Sequence, residues 1–386
     1  VSRDRGACAM LKSLQLENYR GFRRYRLDGL ARVNLLVGKN NCGKTSILEA
    51  VRILAAQGDP RVLAEIATRR GERIAAGDAS ENSYADVSPF FHGYEFGSGK
   101  SLSLHGEIGC GHLELKVARL SEIEKTRQLQ FAHPSGVTLR RGASVEEVAV
   151  QLGNHLFVEI TGGEHRPLWP LIPASDSGAL LLEPSFFGVG EPADAVNIQL
   201  ITTESLPPRA MASMWDAVLT EGREADVIRA LKILEPEISN VFFLSGERAS
   251  RNGRGGILVA FEDPKRKRVP LGNFGEGIRR MLALALSLDQ ARGGILLVDE
   301  IDTGLHYSIL GDMWLMLVNA AKAYDVQVFA TTHSQDCIRG LAWLCERHPD
   351  LGVDVSVQKI DPDLDESIDL DSEKLQIAVE QAIEVR

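Results

Sequence analysis

The sequence predicts an α/β fold, with a mixed and antiparallel β portion and an inserted helical portion. Three observations carry this. An apolar run over residues 33–37 passes through Gly38-Lys39-Asn40-Asn41-Cys42-Gly43-Lys44-Thr45 into a helical stretch beginning at Ser46. The last third of the chain alternates helix and strand patterns, over 278–290, 294–299, 307–324, 327–332 and 336–348. Between them, residues 100–160 hold repeated short segments of alternating apolar and polar residues, the mark of an antiparallel sheet.

In chain order, residues 11–16 alternate as a strand and 25–30 supply its partner. The helix after the glycine loop runs to about residue 56, and a second helical stretch covers 62–70 before the polar run 77–83. The alternating segments are 101–106, 112–120, 137–140, 145–152 and 156–160. Residues 161–200, rich in Gly and Pro, read as irregular. Helices follow at 208–220 and 225–234, the second with Val227, Ala230, Leu231 and Leu234 on one face and Glu235-Pro236 ending it. The acidic stretch 361–373 reads as a solvated loop, and 374–383 as a short terminal helix.

Composition sets bounds. The chain has 386 residues, 44% hydrophobic and 25% charged, which suits a large globular core and two to three domains. No apolar run approaches the roughly 20 residues that span a bilayer, and no apolar segment follows the charged start, so neither a membrane span nor a signal peptide is expected. Met10 reads as the natural start, with residues 1–9 expected to be disordered. Five cysteines without a C-x-x-C pair suit reduced thiols and a cytoplasmic location. His105, Cys110 and His112 lack a fourth metal ligand and read as ordinary strand or loop residues.

A net charge of −10 argues against a uniformly basic surface. Two local basic groups remain: Arg20, Arg23, Arg24 and Arg26, and Lys265-Arg266-Lys267-Arg268. The second follows Glu262-Asp263-Pro264, a hairpin turn between 256–261 and 269–271, and reads first as a solvated tip and second as a DNA contact.

The chemistry lies in four motifs. A G-x-x-x-x-G-K-T loop between a buried strand and a helix curls its backbone N–H groups around phosphate oxygens at the positive end of the helix. Gly38, Asn40, Asn41, Gly43, Lys44, Thr45 and Ser46 are the expected nucleotide contacts, with Lys44 on the β/γ-phosphates and the Thr45 hydroxyl on Mg²⁺. Ile295-Leu296-Leu297-Val298 ends in Asp299-Glu300; Asp299 is expected to hold Mg²⁺ through water and Glu300 to accept a proton from the attacking water. His333, just past the next strand, is placed to contact the γ-phosphate. Gly272 to Gly277 precedes an apolar helix, which makes a second helix N-terminus suited to an anion.

This order of phosphate loop, glycine-helix, acidic pair and histidine resembles the ATP-binding-cassette (ABC) ATPases. The opening Leu14-Gln15-Leu16-Glu17-Asn18-Tyr19-Arg20-Gly21-Phe22, the loop 38–45 and Asp299-Glu300-Ile301-Asp302-Thr303-Gly304-Leu305-His306 are similar to the SMC/RecF/OLD branch, nearest to its OLD-like members. The resemblance covers about residues 11–56 and 240–340. It implies a Mg²⁺-dependent ATPase head organised as a phosphate-loop lobe (10–56), its β-rich remainder (57–160), a helical insertion (161–240) and a C-terminal lobe (241–386). It also implies a head-to-head homodimer in which Gly275 and Gly277 grip the partner's ATP, Asp302 crosses the interface and His333 is the switch.

Two departures stand out. The signature serine of many relatives is replaced by Gly275, and the glutamine that contacts Mg²⁺ is unassigned among Gln128, Gln130 and Gln151. Slow hydrolysis is therefore expected. About fifty residues follow His333, too few for a TOPRIM nuclease of roughly 100 residues, and no heptad run marks a coiled-coil arm. The resemblance implies control of a separate nuclease or toxic effector in phage or plasmid defence. The alternative is a RecF-like clamp on DNA.

Overall fold

The computed structural model describes residues 10–74, 84–109, 111–119, 156–163, 165–169, 171–180, 196–244 and 256–381. At its centre is a six-stranded sheet in the order Ile198–Ile201, Ile295–Val298, Gln327–Thr331, Val33–Val37, Val355–Lys359, Ile368–Leu370. The first five strands are parallel and the last is antiparallel. Strands of a parallel sheet are covered on both faces, which is why these read as unbroken apolar runs. Val33, Leu35, Val37, Leu296, Val298, Val328 and Ala330 point into one core; Leu36, Ile295, Leu297 and Phe329 point into the other.

The first core is built with the helices Glu276–Gln290, Leu310–Ala323 and Gln335–Arg347. Trp314 is fully buried there and donates from Nε1 to the Cys337 carbonyl at 3.0 Å, tying two helices together. Trp314→Ala is expected to cost about 3–5 kcal/mol through the cavity it leaves, read as a lower urea midpoint at unchanged slope.

The second core lies under the helix Lys44–Ala55 and a ten-stranded antiparallel sheet. Its first hairpin pairs Leu14–Tyr19 with Phe22–Leu27, so the strands expected at 11–16 and 25–30 do pair, with bounds three residues nearer the turn. The turn sits at Arg20-Gly21 because Arg20 is held at φ 49°. Its N–H donates to the Phe90 carbonyl at 2.8 Å and its guanidinium pairs with Glu49 and Glu72. The strands Ser101–Gly106, His112–Arg119 and Leu156–Gly162 stand where the alternation puts them. The expected segments 137–140 and 145–152 lie outside the described residues.

The described residues between 161 and 201 are less irregular than their glycines and prolines suggest. Short strands Arg166–Pro167, Ile172–Ala174 and Ala179–Leu180 extend the antiparallel sheet, and Ile198–Ile201 joins the central one. The helices Pro208–Thr220 and Glu224–Leu231 bury Met211, Trp215, Val218, Val227 and Leu231 in the first core, beside the Glu276–Gln290 helix.

The strand Val355–Lys359 was not anticipated. Its alternation was legible in Val353-Asp354-Val355-Ser356-Val357, and it pairs in parallel with Val33–Val37. It recruits Ile368–Leu370 from the stretch expected to be a solvated loop. Asp369 accepts from Ser356 Oγ at 3.0 Å and Gln358 Nε2 at 2.9 Å, and burial pushes its carboxyl above the usual range. Among the described residues no helix is long and apolar enough to cross a membrane.

Candidate nucleotide-binding and hydrolysis site

In an open parallel sheet, ligands gather at the carboxyl ends of the strands. Here the phosphate loop leaves the end of Val33–Val37, Asp299-Glu300 leave the end of Ile295–Val298, and His333 follows Gln327–Thr331. The register Thr331↔Leu36 and Val298↔Ala330 brings all three to one edge.

The loop is shaped by positions where a side chain is excluded. Gly38 has φ 148°, and a Cβ there would lie 2.7 Å from the Ile360 carbonyl oxygen and the Cys42 sulfur. Gly43 has φ 100° and caps the helix starting at Lys44; a Cβ there would lie 2.3 Å from the Phe22 ring. The phosphate loop therefore rests on the opening hairpin. Gly43→Ala is expected to cost about 1–3 kcal/mol by overpacking. Adding Phe22→Leu should return only part of the melting temperature, because the left-handed backbone remains strained.

Lys44 Nζ donates to the carbonyls of Gly38 and Lys39, each at 2.8 Å. Its third donor faces Cys42 Sγ at 3.8 Å, a weak acceptor that a phosphate oxygen would outcompete. Asn41 holds φ 62°, turning the loop between its two glycines. Ser46 is buried and its hydroxyl accepts from Arg70 at 3.3 Å, so its side chain faces the interior. Asn40 stands in the loop itself, where its backbone N–H is one of those available to phosphate.

Thr45 Oγ1 lies 3.3 and 3.2 Å from the two carboxylate oxygens of Asp299. Two oxygen ligands on adjacent corners of a Mg²⁺ octahedron are about 2.9 Å apart, so this hydroxyl and carboxylate fit a hard cation. Thr331 Oγ1 donates to Asp299 at 2.6 Å and accepts the Glu300 N–H at 2.8 Å. Glu300 adopts φ 47°, a left-handed backbone that costs a residue with a Cβ about 1–3 kcal/mol. Its carboxylate lies 3.3 Å from His333 Nδ1, both side chains being substantially exposed. An Nδ1–H donated to Glu300 turns Nε2 outward, free for phosphate.

Asp302 accepts from Thr332 Oγ1 at 2.6 Å, which draws the loop after the acidic pair back toward the strand that carries His333. Gly275, with φ 84°, begins the helix Glu276–Gln290, whose first N–H groups have no side-chain cap. A Cβ on Gly277 would lie 2.8 Å from the Gly304 carbonyl oxygen, so this glycine also permits a close approach within its own chain. Gln128, Gln130 and Gln151 lie outside the described residues, as does Cys110. His105 and His112 stack as a cross-strand pair at 4.1 Å.

Three participants escaped the reading of the sequence: Phe22 as the floor of the loop, Thr331 as the bridge between the acids, and Arg280. Arg280 is buried on the glycine-helix and donates to the carbonyls of Thr202 at 2.6 Å and of Asp299 and Glu300 at 2.7 Å. Burial pushes its guanidinium down to about 10, against the opposing pull of the Asp302, Asp299 and Glu300 carboxylates. The adjacent Arg279-Arg280 pair was the available signal, yet nothing local says which arginine turns inward.

Two sequence-family profiles match the chain. Residues 10–90 match one described as an AAA ATPase domain, and residues 216–336 match one described as "AAA domain, putative AbiEii toxin, Type IV TA system". The first contains the phosphate loop; the second contains the glycine-helix, the acidic pair and His333. The protein is an ATPase.

An ATP/GTP phosphatase of Helicobacter pylori is 26% identical to this ATPase over 355 residues, covering 85% of this chain and 86% of that protein. The DNA replication and repair protein RecF of Clostridioides difficile is 51% identical over 45 residues, 12% of either chain. A crystal structure of an SMC head bound to the C-winged helix domain of ScpA covers 95% of this ATPase and 99% of that chain, at 12% identity and a TM-score of 0.47.

Proposed function

We propose that this ATPase is an OLD-like, Mg²⁺-dependent switch that closes as a head-to-head homodimer on ATP and reopens on hydrolysis. In this reading it controls a separate nuclease or toxic effector in phage or plasmid defence. The observation that carries the chemical part is the pair of contacts at one sheet edge: Thr45 with Asp299, and Glu300 with His333. Lys44 and the loop N–H groups hold the phosphates, and the Thr45 hydroxyl and Asp299 hold Mg²⁺, which neutralises phosphate charge when bound. Glu300 takes the proton of the water attacking the γ-phosphate, and His333 orients that carboxylate while its Nε2 faces the phosphate. The uncapped N-terminus at Gly275 and Gly277 serves the nucleotide of the other subunit. The toxin named in the description matching residues 216–336 supports the defence role.

A RecF-like DNA clamp is the second reading, favoured by the RecF match. The basic groups support it less than their sequence suggests. Arg20 is buried between Glu49 and Glu72, and Arg26 pairs with Asp28 at 2.7 Å. The turn after Asp263 does join Ile257–Phe261 to Val269–Pro270 as a hairpin. Within it Arg266 pairs with Glu237 and stacks on Phe261, and Arg268 stacks on Phe242 at 4.0 Å.

The test is the solution mass of the Glu300→Gln protein with and without Mg·ATP, repeated with duplex DNA. A nucleotide-dependent dimer indifferent to DNA is the expected result. A DNA-bound complex that dissolves steeply with salt would favour the clamp.

A further inference from the structure

Glu300 is the one residue of the acidic pair in a left-handed conformation, and both of its backbone polar groups are clamped. Thr331 Oγ1 accepts its N–H at 2.8 Å, and Arg280 donates to its C=O at 2.7 Å. The same Arg280 nitrogen reaches the Asp299 carbonyl at 2.7 Å, and the other terminal nitrogen reaches Thr202 at 2.6 Å. The guanidinium meets these acceptors from two fixed nitrogens, which the single nitrogen of an ammonium does not reproduce.

Arg280 sits about one turn along the helix from Gly277. Gly277 in turn abuts the Gly304 carbonyl at the far end of the same loop. The first turns of this helix thus strap both ends of the segment from Asp299 to Gly304.

We propose that Arg280 is a positioning residue: it holds the Asp299–Glu300 backbone in its left-handed turn and passes the engagement of Gly275 and Gly277 with a partner's nucleotide to the Glu300 carboxylate. The transmission rests on the dimer reading above; the positioning does not. It explains why a buried cation is spent on backbone carbonyls, with the nearby carboxylates balancing its charge from farther away.

The experiment uses the full chain carrying Arg280→Lys, with Arg280→Met beside it. Lysine keeps the charge but brings one nitrogen where the guanidinium uses two. ATP affinity is expected to stay within about threefold and Mg·ATP-dependent dimerisation to persist, while kcat falls about 10- to 100-fold, the scale of a small misplacement of a reacting group. A merely structural arginine would instead lower melting temperature, affinity and dimerisation together, with kcat per folded molecule unchanged. That result, or a folded Arg280→Lys protein hydrolysing at the parent rate, overturns the proposal. If Arg280→Met does not fold, the lysine variant decides alone. A chain that stays monomeric with Mg·ATP overturns the transmission, while a slow kcat at unchanged affinity still supports the positioning.

Discussion

Lys44→Ala is expected to weaken ATP binding at least about 100-fold, the equivalent of roughly 3 kcal/mol for charge-assisted hydrogen bonds to phosphate. The side chain is already folded over the loop, its ammonium on the carbonyls of Gly38 and Lys39. Removing it therefore takes away both the charge that meets the phosphates and the staple that shapes their cradle. The loss should appear in the dissociation constant, by calorimetry, with the melting temperature of the unliganded protein little changed because Lys44 is only half-buried. Retained micromolar affinity would remove the phosphate-loop assignment and everything built on it.

Glu300→Gln separates binding from chemistry. The amide keeps the size of the carboxylate and still accepts from His333, so the strained turn and its clamps at Thr331 and Arg280 stay in place. What it loses is the capacity to take a proton. Turnover should fall about 10²- to 10⁴-fold, the usual contribution of a general base, with ATP affinity within a few-fold of the parent. On the dimer reading the ATP-bound pair then accumulates. A single-turnover rate equal to the parent's would show that Glu300 is not the base, whatever the affinity.

The companion variants in the fold test different physics. Trp314→Ala removes core volume and touches none of the nucleotide-site side chains directly, so its main effect should be on stability. Gly43→Ala strikes both, since the glycine serves the helix start and the floor on Phe22 at once.

Much of the architecture was legible because its signals are local. The helices at 208–220 and 276–290 and the strands at 101–106, 295–298 and 327–331 each show the period of their element within a few residues. What was missed takes its place from partners elsewhere in the chain. The strand Val355–Lys359 is completed by a partner more than three hundred residues earlier. Ile368–Leu370 hides in an acidic run whose polar residue Asp369 is satisfied by Ser356 and Gln358. The opening hairpin pairs the two expected strands and runs three residues closer to its turn, where Arg20, read as a possible surface cation, is buried and sets that turn.

The sequence by itself determined the chemistry on offer: a phosphate loop, a pair of acids, a histidine and a glycine-led helix, each with the strand or helix that presents it. Those identities follow from residue type and short spacing. Only the tertiary structure decided which groups meet, because those contacts cross long stretches of chain. Thr45 reaches Asp299 over 254 positions, and Glu300 is held by Thr331 over 31 and by Arg280 over 20. The left-handed turn at Glu300 is a conformation its own residue type disfavours. It persists because hydrogen bonds from two other elements outweigh that preference, and no reading of neighbours along the chain reveals them.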